Sequence, residues 1–248
     1  MAEMLLRAGL GVVVLVAITA SVLGAARVPR VWAPGWAVLR GALQLAVISL
    51  VLRGVISDGR WAAVAVGVMF SVAVTTVTRR LGFSWRRLGL AAAAMGTGVV
   101  VALGTAFATG ALTLSARFVL ALGGIVVGGS MTTATLAGRR LISSLHARWD
   151  EVEGWLALGA TPRQATIAIA REAAAEALVP TIDQTRTTGL VTLPGAFVGA
   201  IFGGASPVDA GRFQIVVLAA ILTAGALTAV LLLRGLAPVR VRPELPIP

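Results

Sequence analysis

An all-α, polytopic membrane protein is the fold class this sequence predicts, and three observations predict it. Of 248 residues, 58% are hydrophobic and 12% charged. A soluble domain of this length needs a larger polar surface. Apolar runs of about 20 residues, the length of a bilayer-crossing helix, recur along the chain. Arginines gather at the ends of those runs, which is the topology signal of membrane helices. A transmembrane barrel needs short alternating segments instead.

About seven transmembrane helices follow, taken in chain order. The first apolar run, 5–26, has no clear cleavage site and reads as a retained helix, not a signal peptide. The next is 36–56, which carries Arg40 and Gln44, followed by 61–78 and by 88–108, which is rich in small residues. The run 118–137 contains Gly124-x-x-x-Gly128 and then Ser130 and Met131. A charged connector separates it from 178–202, and 213–233 is the last run. Residues 1–237 read as one transmembrane domain with a cytoplasmic segment at 139–177, and residues 238–248 as a disordered Pro-rich tail. Fourteen arginines fall on the side reached after the first, third, fifth and seventh runs, against five on the other. Positive charge stays inside, so the N-terminus is expected outside and the C-terminus in the cytoplasm of a cell (inner or plasma) membrane.

The net charge is +11, and every basic residue is arginine. Without lysine the chain cannot form the nucleotide-binding G-x-x-x-x-G-K-[ST] loop. Without cysteine it has no disulfide or thiolate site. Its one histidine, His146, excludes a multi-histidine metal site within one chain. No Ser/His/Asp set, H-E-x-x-H or carboxylate pair appears, so no catalytic residue is expected. The placement of the arginines speaks for membrane topology and against nucleic acid.

The connector has its own pattern. Leu141, Leu145, Trp149, Val152 and Leu156 share one helical face, with Asp150, Glu151 and Glu153 off it. Gly159 suits a helix stop. Thr161, Pro162 and Gln164 then compose an N-cap, a first-turn proline and a capping box. This predicts helix, sharp corner, helix, the second helix running to about Ala177. An amphipathic linker lying on the membrane surface fits the same stripe. The rigid turn chemistry, with Trp155 and Leu158 near its tip, favours a partner-binding corner.

Ionisable groups inside a membrane are expensive and suggest function. At about 1.5 Å per residue, Asp183 is expected about 8 Å inside the start of the sixth run, and Arg186 about 12 Å. Gln44 is equally deep in the second, Ser130, Thr132, Thr133 and Thr135 reach a similar level in the fifth, and Met131 is a further candidate for the substrate path. Together with Arg40 and Thr187 these residues predict a polar cavity open toward the cytoplasm. Asp183 can pair with Arg186 at i,i+3 or with Arg40, and Arg40 and Arg186 also fit simple snorkelling to lipid headgroups. Pro194 predicts a kink in the sixth run. Gly195, Gly199 and Gly203 recur every fourth residue and allow close helix approach, within one bundle or across a dimer.

Three stretches, GGIVVGGSMTTATL, EVEGWLALGATPRQA and VPTIDQTRTTGLVTLPGAFVGAIFGG, resemble the FetB-like permease family. That family provides the membrane subunits of bacterial ATP-binding-cassette exporters linked to iron, and has relatives among plant aluminium-tolerance transporters. The resemblance covers residues 36 to 234. It implies a permease, a homodimer, a separate ATP-binding subunit holding ATP and Mg, and no cofactor in this chain. It also implies that the corner from Asp150 to Gln164 docks on that subunit; Glu153, Gly159 and Ile169 fall on the spacing of the "EAA" coupling pattern. Iron or another metal ion is the implied substrate, and Asp183 matches the family's Pro-Thr-(Val/Ile)-(Asp/Asn) position. The chain departs from the family where Gly129 replaces an Asn and Ala196-Phe197 replaces a Met pair. Two alternatives stay open: an organic or sugar-nucleotide solute held by Arg40 and Arg186, and an ATP-independent carrier or channel.

Overall fold

The computed structural model describes residues 2–57 and 59–244. Among them the chain is all-helical, in nine helices. They divide into two units, residues 1–55 and 56–248. The first unit holds α1 (Ala2–Ala25) and α2 (Ala33–Ser57). Its connection turns through Arg27 and Arg30, both in the left-handed region at φ 52° and 64°. The α1 span has no buried residue, so its apolar surface is the kind that meets lipid.

The second unit contains α3 (Gly59–Arg80), α4 (Trp85–Ala108), α5 (Ala116–Ala147), α6 (Trp149–Ala157), α7 (Pro162–Thr187), α8 (Gly195–Phe202) and α9 (Pro207–Leu236). Serines start α4, α5 and α9: Ser84, Ser115 and Ser206 each accept a hydrogen bond from a backbone N–H of the first turn. Helices α3, α4, α5 and α9 pack around a main core that includes Val77, Met95, Leu122, Val126 and Val217, all at most 1% exposed. Small residues let the backbones approach. A Cβ placed on Gly98 would lie 2.6 Å from the Ala224 carbonyl oxygen and 2.8 Å from Thr228 Oγ1.

A second core sits where α5 extends beyond the bundle. Leu141 and Leu145 of α5, Val152 of α6, Ile169 and Ala173 of α7 and Leu233 of α9 are buried there together. The expected stripe of the connector is therefore a packing face. It belongs to two helices, because α5 ends at Ala147 and α6 begins at Trp149.

Among the described residues, α1, α3, α4, α5 and α9 are long and apolar enough to cross a membrane. The second expected run is the 25-residue α2, whose side chains from residue 50 onward lie outside those described. The sixth run differs from expectation. It is not one kinked helix over 178–202 but the end of α7, a non-helical turn at 188–194, and the short α8. Pro194 is therefore the N-cap of α8, with φ −62° and ψ 143°, rather than a kink within a helix. The reason is local. Gly189 adopts φ +88°, and Pro194 disfavours helical backbone at Leu193. The proline inside a helix is Pro180 of α7, which leaves the Glu176 carbonyl without its helical donor.

The tail also differs from the expected disorder, as far as Glu244. Arg242 donates to the His146 carbonyl at 2.9 Å, and His146 Nδ1 donates to the Pro243 carbonyl at 3.1 Å. The last carbonyls of a helix need donors, and the tail supplies one to α5. Residues 245–248 of the expected tail lie outside the described residues.

Candidate functional site

The corner between α6 and α7 is built by two capping devices back to back. Gly159 adopts φ +88°. Its N–H bonds the Leu156 carbonyl, and the Ala160 N–H reaches the Trp155 carbonyl at 3.0 Å. That is a Schellman closure, which glycine permits without steric cost. Two residues on, Thr161 N donates to Gln164 Oε1 at 2.8 Å and Gln164 N donates to Thr161 Oγ1 at 3.3 Å, with Pro162 in the first turn. The orphan backbone groups on both sides of the corner are thus satisfied locally.

The corner is held at a fixed angle by the second core and by Arg148. This guanidinium reaches Glu151 of α6 at 2.8 Å and Glu172 of α7 at 2.6 Å. Its hydrogen bond to Glu151 raises the Arg148 pKa above the ordinary arginine value, and the charges of Glu151 and Glu172 add to this. Arg140 ties α5 to Glu176 at 2.8 Å. Asp150, Glu151 and Glu153 are exposed on α6. Beside them Trp155 is 52% exposed and Leu158 82%. With Gln164 and Ile167 they border a shallow hollow of about 520 Å³. Two large apolar side chains at a rigid, acidic, exposed tip offer a contact surface.

The other candidate residues lie at the far end of α7. A Cβ on Gly225 of α9 would meet Leu178 Cδ2 at 3.4 Å and Thr133 Oγ1 of α5 at 3.3 Å. Leu178 is therefore already about 16 Å inside the C-terminal end of α9, and Asp183 and Arg186 are about 24 and 28 Å inside it. They stand level with the middle of α9, a helix about 45 Å long. Asp183 and Arg186 pair at 3.6 Å and remain 58% and 75% exposed. Gln184 beside them is exposed, and Thr187 is partly covered. The chain then leaves the helix: the Thr187 carbonyl accepts from the N–H groups of Leu190, Val191 and Thr192, and Leu190 and Val191 are 91% and 78% exposed.

The remaining expected site residues lie elsewhere. Ser130 is fully buried within the bundle, and its Oγ has no hydrogen-bond partner. Met131 is partly buried against the main core. Arg40 and Gln44 are exposed residues of α2, in the N-terminal unit. Gly195 and Gly199 of α8 face open space, and Gly203 caps that helix. Among the described residues no three His, Cys, Asp or Glu side chains converge as a metal site. Sequence reasoning missed the clamp at Arg148, whose partner Glu172 is 24 positions away and has no local signature. It also missed the break at 188–194, although Thr-Thr-Gly followed by Leu-Pro was a legible signal.

Helices of this length and apolarity, with a doubly capped corner at one end and a broken helix inside, define a multi-pass membrane protein. The sequence profile of the family described as "Uncharacterised protein family (UPF0014)" matches residues 8–238, and the chain belongs to that family. It is 35% identical over 198 residues to "UPF0014 membrane protein STAR2" of Oryza sativa subsp. japonica, covering 79% of this chain and 70% of the relative. It is 34% identical over 204 residues to "UPF0014 membrane protein YjkA" of Bacillus subtilis, covering 79% of each. It is 28% identical over 198 residues to "Probable iron export permease protein FetB" of Escherichia coli, covering 79% of this chain and 76% of the relative. No solved structure matches.

Proposed function

We propose that this chain is the permease subunit of an ATP-binding-cassette transporter that exports iron or another metal ion, energised by a separate ATP-binding subunit. The carrying observation is the doubly capped corner with Trp155 and Leu158 exposed at its tip. ATP and Mg act on the partner. The corner docks there, the acidic face of Asp150, Glu151 and Glu153 setting its orientation. Similarity to a relative named as an iron export permease supports the substrate.

The mechanism follows from α7. It is one helix of 26 residues, about 39 Å long, with the corner at its start and Asp183 and Arg186 near its end. A close-packed core transmits displacement instead of absorbing it. Closure of the ATPase pushes the corner, the second core carries α6 and the start of α7 together, and Pro180 is the bend. The far end moves against the bundle and carries the break at 188–194 with it. Irregular backbone inside a bilayer needs protein or a cavity around it, and exposed charge there is costly. Both arguments support a homodimer in which two copies shelter these groups. Two Asp183 carboxylates with Gln184 and Thr187 oxygens then form a hard-cation path, in which the metal competes with Arg186 for the carboxylate. The arginine distribution supports an N-terminus outside and a C-terminus in the cytoplasm.

The test co-expresses the tagged chain with a candidate ATP-binding subunit in its native membrane. Wild type should retain the subunit and show metal-stimulated ATP hydrolysis. Glu153→Arg should lose the subunit, and Asp183→Asn should retain it but lose transport. A chain that purifies alone, with unchanged transport in Glu153→Arg, would favour an ATP-independent carrier. Stimulation by sugar nucleotides and not by metal would keep the architecture and change the substrate.

A further inference from the structure

Between the first half of α7 and the last turns of α9 runs a groove of about 380 Å³. Its apolar wall includes Ile167 and Val230, 37% and 43% exposed, with Leu233 behind them. Arg163, Arg171 and Arg234 stand around it, all exposed. No carboxylate lines the groove. Among the described residues none of these three arginines has an ion-pair partner, whereas Arg140 and Arg148 engage Glu176 and Glu172 on another side of α7. The first half of α7 thus sorts its charge: Glu172 and Glu176 toward α5, Arg163 and Arg171 toward the groove.

The position in the bilayer narrows the ligand. Arg234 lies in the last turn of the apolar α9, where hydrocarbon gives way to headgroups. Arg171 is at that level, Arg163 stands about 12 Å further out along α7, and Val230 and Ala174 continue the groove inward. A small soluble anion would satisfy the arginines and leave Ala174 and Val230 bare. An amphiphile with an anionic head and an acyl chain satisfies both. Basic pockets between helix ends are suited to such lipids, and guanidinium binds phosphate bidentately.

We propose that this groove is a binding site for an anionic phospholipid, its phosphate between Arg171 and Arg234 and one acyl chain along Ala174 and Val230. The inference does not depend on the chain being a permease. Each arginine near such a headgroup is worth about fivefold in affinity, so removing two should cost about 30-fold.

The probe is dioleoyl phosphatidylglycerol against dioleoyl phosphatidylcholine, titrated into the purified full-length chain in neutral detergent, with bound lipid counted by native mass spectrometry. Wild type should prefer phosphatidylglycerol at least tenfold. Arg171→Gln/Arg234→Gln should bring the preference close to one, and Arg171→Lys/Arg234→Lys should keep most of it. Val230→Trp, which fills the groove and leaves the charges in place, should also weaken retention. Arg80→Gln, an exposed arginine outside the groove, should change nothing. Equal retention of both lipids by wild type, an undiminished preference in the double Gln variant, or an equal loss in Arg80→Gln would overturn the site. Displacement of the lipid by millimolar inorganic phosphate would replace it with a free-phosphate site.

Discussion

At the scale of single residues, glycine is used here for two different reasons. Gly98 is a packing residue: any side chain would strike the backbone of α9 at Ala224. Gly98→Val should destabilise the bundle by about 2 kcal/mol through overpacking, read as a lower midpoint in thermal unfolding of the purified protein. Gly159 has open space around it, and its requirement is the left-handed backbone at φ +88°. Gly159→Ala should therefore cost only about 1 kcal/mol. Its effect should appear at the corner, as faster amide exchange at Ala160 with the bundle unchanged. An equal loss of protection across α4 and α9 would show that the two glycines do the same work.

At the scale of elements, the corner and the broken helix are built in opposite ways. The corner satisfies its backbone groups with neighbours in sequence, through Gly159, Thr161 and Gln164. Thr161→Ala removes the acceptor for the Gln164 N–H. It should cost about 1 kcal/mol, seen in hydrogen exchange as fraying of the first turn of α7. This chemistry was legible because every partner lies within five residues. The break at 188–194 differs from the expected kink because Gly189 and Pro194 act together. A proline within a helix kinks it; Pro194 preceded by a left-handed glycine and extended residues ends one stretch and starts another. The start of the sixth run is a related case. Hydropathy marks where a helix becomes apolar, not where it enters the bundle, and the first half of α7 is polar on the faces carrying Arg163, Arg171, Glu172 and Glu176.

At the scale of the whole molecule, the question is which end faces the cytoplasm. The chain has no cysteine, so single cysteines report topology without a background. Leu158→Cys at the corner and Val208→Cys at the start of α9 are both highly exposed positions. An impermeant maleimide should label Val208→Cys in intact cells and Leu158→Cys only in inverted vesicles. The reverse pattern would turn the molecule over and remove the corner from any cytoplasmic ATPase.

Sequence alone determined the class of this protein, most of its helices and the design of its corner. Those features rest on composition, on periodicity and on turn chemistry, all carried by residues close together along the chain. Tertiary structure decided what depends on distant partners. It buried Ser130 in the bundle while leaving Asp183 and Arg186 exposed, and it joined Arg148 to Glu172 across two helices. It also gathered Arg163, Arg171 and Arg234 around one groove. The residues of each such pair or group are far apart in the chain, and no local pattern encodes which helix faces reach the same place once α5, α7 and α9 pack.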